Sequence, residues 1–213
     1  PNGVILIAGK GHEKTQIYKN KILNFSDKNI IKETKEKKFL KNKKNYNQIL
    51  NSKLVYEILR KKNFKFRGVA IDSKQVKKDN LFIAIKGKNY DGHTFAKEAI
   101  KNKANYCIVE KKIKNINNNK LIKCSNTINF LNKFAFKKRE YSNAKIIAVT
   151  GSSGKTTLKA LLGNLLTQYG ETYSSKKSYN NHFGVPLSLC NLENDHEYGV
   201  FEIGMSKIGE IKK

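Results

Sequence analysis

Between Ile146 and Leu162 an apolar run breaks into a loop of small residues and then into helix-forming sequence, and no other stretch constrains the fold as much. Ile146 to Val149 reads as a short buried strand. Gly151 to Gly154 is the loop, and Thr157-Leu-Lys-Ala-Leu-Leu162 has helix composition. A strand that feeds a helix through a glycine turn belongs to an α/β protein with parallel pairing. The same order makes a phosphate cradle. Glycines let backbone N–H groups approach phosphate oxygens, and the helix N-terminus adds positive potential. Lys155 can reach the β/γ-phosphates, and the Thr156 hydroxyl can sit on Mg²⁺. The strict pattern has a further glycine where this chain has Val149. A plain Gly-Ser turn before a helix would not need Lys-Thr after the second glycine. Nucleotide binding is therefore the expectation for Thr150, Gly151, Ser152, Ser153, Gly154, Lys155, Thr156 and Thr157.

Charge could point elsewhere. The chain has 43 Lys and Arg against 17 Asp and Glu, a net +26, and basic clusters release counterions from nucleic acids. The distribution argues against that partner. Arg60, Arg67 and Arg139 are the arginines, and the lysines are spread along the whole length without aromatic interleaving. Cys107, Cys124 and Cys190 are odd in number and far apart, with no C-x-x-C or Cys/His ligand spacing. Buried thiols in a reducing cytosol fit them better than a disulfide framework or zinc. Apolar runs such as Val4 to Ala8 are too short to span a bilayer, and no signal peptide is visible. A cytoplasmic protein without membrane insertion is expected. The chain starts at Pro1 and stops at Lys213 just after a helix-like beginning, so it reads as a piece of something longer.

Along the chain, Val4 to Ala8 reads as a strand leading into the charged glycine loop Gly9 to Glu13. Short strands are expected at 17–18 and 22–25 around a Lys19–Lys21 turn, and a helix from Ser26 to about Lys38. Lys41 to Asn47 is polar and reads as linker. Leu54, Val55, Ile58 and Leu59 form one helix face. Strands follow at 69–71 and 81–85, then a helix capped by Thr94, strands at 106–109 and 121–124, and a helix from Thr127 to about Tyr141. After the phosphate-loop helix come a loop from Ser178 to Pro186 and a strand at 200–203. This alternation predicts largely parallel sheets.

Thr150 to Thr156 matches T-G-x-x-G-K-[ST], the shortened phosphate loop of the Mur ligases, and so resembles that family of peptidoglycan-synthesis enzymes. Ser178-Tyr-Asn-Asn-His-Phe-Gly-Val-Pro-Leu187 and Phe201-Glu-Ile-Gly-Met205 resemble its D-alanyl-D-alanine-adding branch, MurF. Asp72-Ser-Lys74, Asp79 to Gly87 and Asn89-Tyr-Asp-Gly-His93 resemble that branch's UDP-substrate domain, with Lys74 where the family usually has Arg. The exchange loses a planar fork for phosphate and keeps the charge. Leu6 to Glu13, with Gln16 and Phe25-Ser-Asp27, resembles the end of the tripeptide-forming branch, MurE. The implied order is a MurE C-terminal piece at 1–38, a linker at 39–47, a MurF UDP-substrate domain at 48–143 and a truncated central ATPase domain at 144–213. A wrong join between neighbouring reading frames is the duller account of it.

The resemblance implies an ATP- and Mg²⁺-dependent ligase that joins D-alanyl-D-alanine to a UDP-N-acetylmuramoyl peptide, acting as a monomer. Lys155 and Glu202 are its catalytic candidates, with Thr156 and Glu202 as Mg²⁺ ligands. Glu202 ends an expected strand, where open α/β sheets hold ligands, and is a hard oxygen donor. Asn181 is assigned to ATP; Asn180 beside it could serve nucleotide or substrate, or only a turn. Ser73, Lys74, Asn89, Asp91, His93 and His182 are assigned to the UDP substrate, although Ser73 could be an ordinary cap and Asp91-Gly92 an ordinary turn. Gly9 and Glu13 map onto the positions where MurE holds its incoming amino acid, and a carboxylate there can pair with an ammonium group. Two rivals stay open: a folylpolyglutamate-synthetase-like ligase and a basic phosphate-loop protein binding nucleic acid.

Overall fold

The computed structural model describes residues 15–18, 21–24, 43–87, 89–176 and 179–204. Gly9, Glu13, the strand expected at 4–8 and the helix expected at 26–38 lie outside the described residues. Strands β1 (Thr15–Tyr18) and β2 (Lys21–Asn24) form an antiparallel hairpin with Ile17 opposite Ile22, as expected from their apolar runs.

The first larger unit is a parallel sheet of β3 (Val69–Ala70), β4 (Leu81–Ile83), β5 (Tyr106–Val109) and β6 (Leu121–Lys123), in that spatial order. Side chains alternate between its faces along each strand. Leu81, Ile83, Ile108 and Ile122 point to one face. There they meet Leu50, Leu54 and Val55 of helix α1 (Lys43–Leu59) and Phe130, Leu131 and Phe134 of a second helix. Phe82, Cys107 and Val109 point to the other face, against Ala96 and Ala99 of α2 (Ala96–Lys101). The second helix on the first face, α3 (Thr127–Glu140), starts where the Asn126 side chain accepts the Asn129 N–H. That is ordinary N-capping. Lys137, Lys138 and Arg139 lie in its last turn, the favourable end of the helix dipole for cations. Cys107, Cys124 and Cys190 are buried free thiols, and burial pushes Cys107 up to about 12 and Cys124 up to about 11. Such thiols carry little thiolate at neutral pH and act as core residues.

The second unit has β7 (Lys145–Val149), β8 (Thr172–Ser174) and β9 (Tyr198–Glu202), with β9 in the middle and all pairs parallel. Helix α4 (Lys155–Leu166) lies against it, and Val149, Leu166 and Val200 form the shared core. Helix α5 (Gly184–Cys190) ties the units together, because its Leu187 and Cys190 enter the core of the first sheet. Beyond α5, the Asn191 side chain accepts from Val69 N–H (2.9 Å) and donates to Val69 C=O (3.0 Å). Tyr179 Oη donates to Gln75 Oε1 (2.7 Å), a third link across the units.

Three sequence expectations are corrected. Helix α1 begins at Lys43, so 43–47 is not linker. Asn47 is 5% exposed; its amide donates to Glu193 Oε2 and its carbonyl accepts from the Asn194 N–H. That tertiary tie overrides the weak propensity of an Asn- and Lys-rich stretch. Thr94 is not the cap before α2. A short 3₁₀ turn (Gly92–Phe95) comes first, capped by Asp91, whose carboxylate accepts the His93 N–H. Gly184 to Pro186 is the first turn of α5 rather than loop. Proline is tolerated there because first-turn N–H groups need no helical partner.

Candidate functional site

Parallel strands direct all their C-terminal ends to one rim, and the residues of interest gather on two such rims. On the second sheet, β7 leads directly into the glycine loop. Gly151 has φ +145 and Gly154, at the cap of α4, has φ +74, the left-handed region open to glycine at little cost. Thr150, Gly151, Ser152, Ser153 and Gly154 are all exposed, so the loop faces solvent at the start of α4. Lys155 folds back over it, its Nζ donating to Gly151 C=O (2.7 Å) and Ser152 C=O (3.4 Å). The loop thus holds a cation over the helix N-terminus, where an anion is favoured. Thr157 is exposed on the first turn.

Glu202, at the end of β9, is 2% exposed. Its Oε2 accepts from Thr156 Oγ1 (2.9 Å) and from Lys159 Nζ (3.1 Å), and its Oε1 accepts from Asn180 Nδ2 (2.8 Å). The Glu202 N–H donates to Ser175 Oγ just beyond β8 (3.1 Å). Burial pushes the Glu202 pKa up. The hydrogen bonds from Asn180, Thr156 and Lys159 outweigh that and hold it below the ordinary glutamate value. Glu202 is therefore ionised at neutral pH although almost wholly buried.

Thr156 Oγ1 and Glu202 Oε2 bring two hard oxygens together under the glycine loop. Mg²⁺ takes such a pair when waters and nucleotide phosphates complete its octahedron. Among the described residues no three His, Cys, Asp or Glu side chains converge as a metal site. A divalent ion here would depend on the nucleotide for its remaining ligands. The donor set fits Mg²⁺ carried by a nucleotide.

Sequence reasoning missed Lys159 and Ser175, and it left Asn180 undecided. The signal for Lys159 was present: three residues after Thr156, it shares that residue's helix face. Ser175 carried no signal in one dimension. Asn181 turns the other way, its Oδ1 accepting from the Phe183 and Gly184 N–H groups at the start of α5 (3.1 and 2.9 Å). His182 is exposed, its ring 4.0 Å from that of Phe183.

The rim of the first sheet carries the other candidates. Ser73 lies in a 3₁₀ turn (Ser73–Gln75) that follows β3, is 4% exposed, and donates to Glu98 Oε2 (2.8 Å). Lys74 and Asn89 are exposed. His93 is 4% exposed and both its ring nitrogens are engaged: Nδ1 is 2.6 Å from Asp91 Oδ1, and Nε2 accepts the Glu110 N–H (2.9 Å). Asp91 also pairs with Lys111 Nζ (3.0 Å). The His93 backbone N–H, with its ring and Lys111, holds the Asp91 carboxyl well below the usual range against an opposing effect of burial. Both residues are committed within the fold, and Lys74 and Asn89 are the members of this group left facing solvent. A cavity of about 510 Å³ opens between the units, with Asp72, Gln75, Lys77, Lys176, Tyr179 and Asn191 in its wall. The glycine loop does not line it.

The Mur ligase family catalytic domain matches residues 65–151, and the Mur ligase middle domain matches residues 149–213. The chain belongs to the Mur ligase family. Similar curated relatives of this Mur ligase are UDP-N-acetylmuramoyl-tripeptide–D-alanyl-D-alanine ligases. That of Rickettsia prowazekii (strain Madrid E) is 41% identical over 145 residues, 68% of this chain and 32% of the relative. That of Escherichia coli (strain K12) is 34% identical over 143 residues, 67% and 31% of the two chains. The crystal structure of MurF from Acinetobacter baumannii superposes with a TM-score of 0.63 at 29% identity, over 75% of this chain and 37% of that one. The MurF ligase of Thermotoga maritima in complex with ADP gives 0.54 at 35% identity, over 68% and 34%. The chain thus spans about a third of the length of the relatives it matches. Among the described residues no helix is long and apolar enough to cross a membrane.

Proposed function

We propose that this Mur ligase segment belongs to a D-alanyl-D-alanine-adding enzyme that uses ATP and Mg²⁺ to extend a UDP-N-acetylmuramoyl-tripeptide. One observation carries the assignment: the Thr156 hydroxyl and Glu202 carboxylate meet beneath an open glycine loop that already holds the Lys155 ammonium. The likeness to an ADP-bound relative supports the nucleotide assignment.

In the proposed reaction an oxygen of the tripeptide's terminal carboxylate attacks the γ-phosphorus of ATP. The bond to the β–γ bridging oxygen breaks, ADP leaves, and an acyl phosphate remains. The amine of D-alanyl-D-alanine then attacks the acyl carbon, loses a proton and expels inorganic phosphate. Lys155 leaves the loop carbonyls for the phosphate oxygens and stabilises charge as it shifts to the leaving group. Backbone N–H groups of 151–156 hold the β-phosphate. Thr156 and Glu202 hold Mg²⁺, which supplies further charge neutralisation on the phosphates. Lys74 and Asn89, facing solvent beyond the first sheet, are assigned to the UDP end, with Ser73, Asp91 and His93 shaping the turns that present them. Asn181 acts by fixing the start of α5, and the exposed His182 is assigned to the UDP substrate.

Residues 1–38 are proposed as the end of a fused MurE-type unit, in which Gly9 and Glu13 hold the third amino acid. In the complete protein, Glu13→Gln should impair tripeptide formation and spare D-alanyl-D-alanine addition. Equal loss of both activities would refute the fusion. For the nucleotide site, ADP with Mg²⁺ titrated into the chain by calorimetry should give saturable binding that Lys155→Ala weakens. Unchanged affinity in that variant would remove the loop from the site.

A further inference from the structure

Lys159 is the one charged member of the Glu202 cluster that the nucleotide chemistry above does not use. It is 5% exposed, on the second turn of α4, and its Nζ lies 3.1 Å from Glu202 Oε2. That is the same oxygen that accepts the Thr156 hydroxyl at 2.9 Å. A buried ion pair of this kind costs much desolvation and is weak evidence for stability by itself. Here the carboxylate is the one a divalent cation would use.

We propose that Lys159 is a positioning residue that keeps Glu202 beside Thr156 and competes with the divalent cation for Oε2, so that tight cation binding requires the nucleotide. This rests on the nucleotide site proposed above. The physical argument has three parts. First, Thr156 and Lys159 sit three residues apart on one helix face, so both reach Glu202 without any change in the helix. Second, Asn180 takes Oε1 while Thr156 and Lys159 take Oε2, so the carboxylate has no bare oxygen to offer. A cation ligated jointly by Thr156 Oγ1 and Oε2 must share that oxygen with an ammonium or move it aside, and repulsion between the two positive charges is weakly screened in a buried site. Third, Thr156 and Glu202 are too few ligands for Mg²⁺, and no further cluster of His, Cys, Asp or Glu comes near among the described residues. Nucleotide phosphates bring both the missing oxygens and the negative charge that offsets Lys159. Free cation is thereby disfavoured, and the cation–nucleotide complex is selected.

The test uses Mn²⁺ as a spectroscopic probe, followed by electron paramagnetic resonance on the 213-residue chain. Without nucleotide, Lys159→Met should bind Mn²⁺ at least ten-fold more tightly than wild type, because a similar volume is kept and the competing charge is gone. Lys159→Arg keeps the charge and should stay near wild type, which a purely steric role would not predict. Adding Glu202→Gln to Lys159→Met should abolish the gain, and this pair leaves no unpaired buried charge to threaten folding. Circular dichroism reports whether each variant is folded. An unchanged or weaker Mn²⁺ affinity in folded Lys159→Met overturns the proposal. Should that variant not fold, wild type still decides: ADP must raise its Mn²⁺ affinity by at least a hundred-fold, and a smaller rise overturns the inference. If wild type binds neither ADP nor Mn²⁺ with ADP, the nucleotide assignment itself fails and the inference falls with it.

Discussion

Strands β4 and β9 each lie inside a parallel sheet, and a carboxylate with a full set of partners sits beyond the C-terminal end of the first, Asp91, and at that of the second, Glu202. The two are anchored in opposite ways. Asp91 bonds to the backbone and ring of His93, two residues away, and to Lys111. His93 in turn takes the Glu110 N–H, so the cluster staples its own turn to β5. Glu202 takes its carboxylate partners from side chains on two other segments, Thr156 and Lys159 on α4 and Asn180 beyond β8. Side chains can change rotamer to meet a ligand, whereas a backbone N–H in a tight turn cannot leave without unfolding the turn. A carboxylate bound to its own backbone is tied to its turn, and one held by side chains can exchange partners without unfolding the chain around it.

The surrounding packing follows the same division. In the first sheet Leu81, Phe82, Ile83 and Ile108 are all fully buried, with helices on both faces. In the second, Val200 and Phe201 of β9 are buried, but β8 is half-buried throughout and Ala148 of β7 is exposed. Leu158 and Leu161 on the outer side of α4 are 48% and 63% exposed. Apolar packing carries the first unit; directional bonds carry more of the second.

This contrast can be broken at several points. The largest effect is expected at Phe134, fully buried between Phe66 and Phe130. Phe134→Ala should destabilise the chain by ~3–5 kcal/mol in urea unfolding, the usual cost of such a cavity. A loss under ~1 kcal/mol would mean that the first unit is not held by its core. Next comes Lys155→Ala in the complete protein, expected to reduce turnover by ~10²–10³-fold, as loss of one preorganised charge does, with the thermal midpoint unchanged. Near-normal turnover would return the glycine loop to an ordinary turn.

Asp91→Asn should cost ~1–2 kcal/mol, the range of a weakened cap, and change the acid limb of stability. The folded-state pKa of Asp91 is depressed, so its contribution is present above the unfolded value of ~3.9 and is lost as pH falls below it. Wild type should therefore lose stability more steeply than Asp91→Asn below about pH 4. Parallel acid limbs would show that Asp91 is not the staple described. The smallest effect is expected at Leu161→Ala, within ~0.5 kcal/mol, as for an exposed side chain. A much larger loss would mean that the outer face of α4 is covered in solution.

Much of this was legible in the sequence. The order strand, glycine loop, helix placed Lys155 and Thr156 at the start of α4, and apolar runs placed β3 to β7 and β9 to within about two residues, while β8, half-buried and without an apolar run, went unread. What escaped was whatever depends on distant partners. Asn47 looked like linker because its partners Glu193 and Asn194 are some 146 positions away. His93 looked like a ligand because nothing local reveals that Glu110 occupies its second nitrogen. Lys159 looked like one more surface lysine in a chain of net charge +26, and only the fold brings Glu202 over it.

Asn191 carries one more consequence. Its primary amide offers an acceptor and a donor, the groups a neighbouring strand would present, to the N–H and C=O of Val69, and its amide nitrogen also donates to Leu187 C=O. β3 is an edge strand, and a bare edge is a template on which a strand of another molecule can be laid down. By ending the hydrogen-bond ladder with a side chain, the protein seals that margin against stacking copies of itself. The residue that joins the two units thus also occupies the backbone groups that such pairing would need.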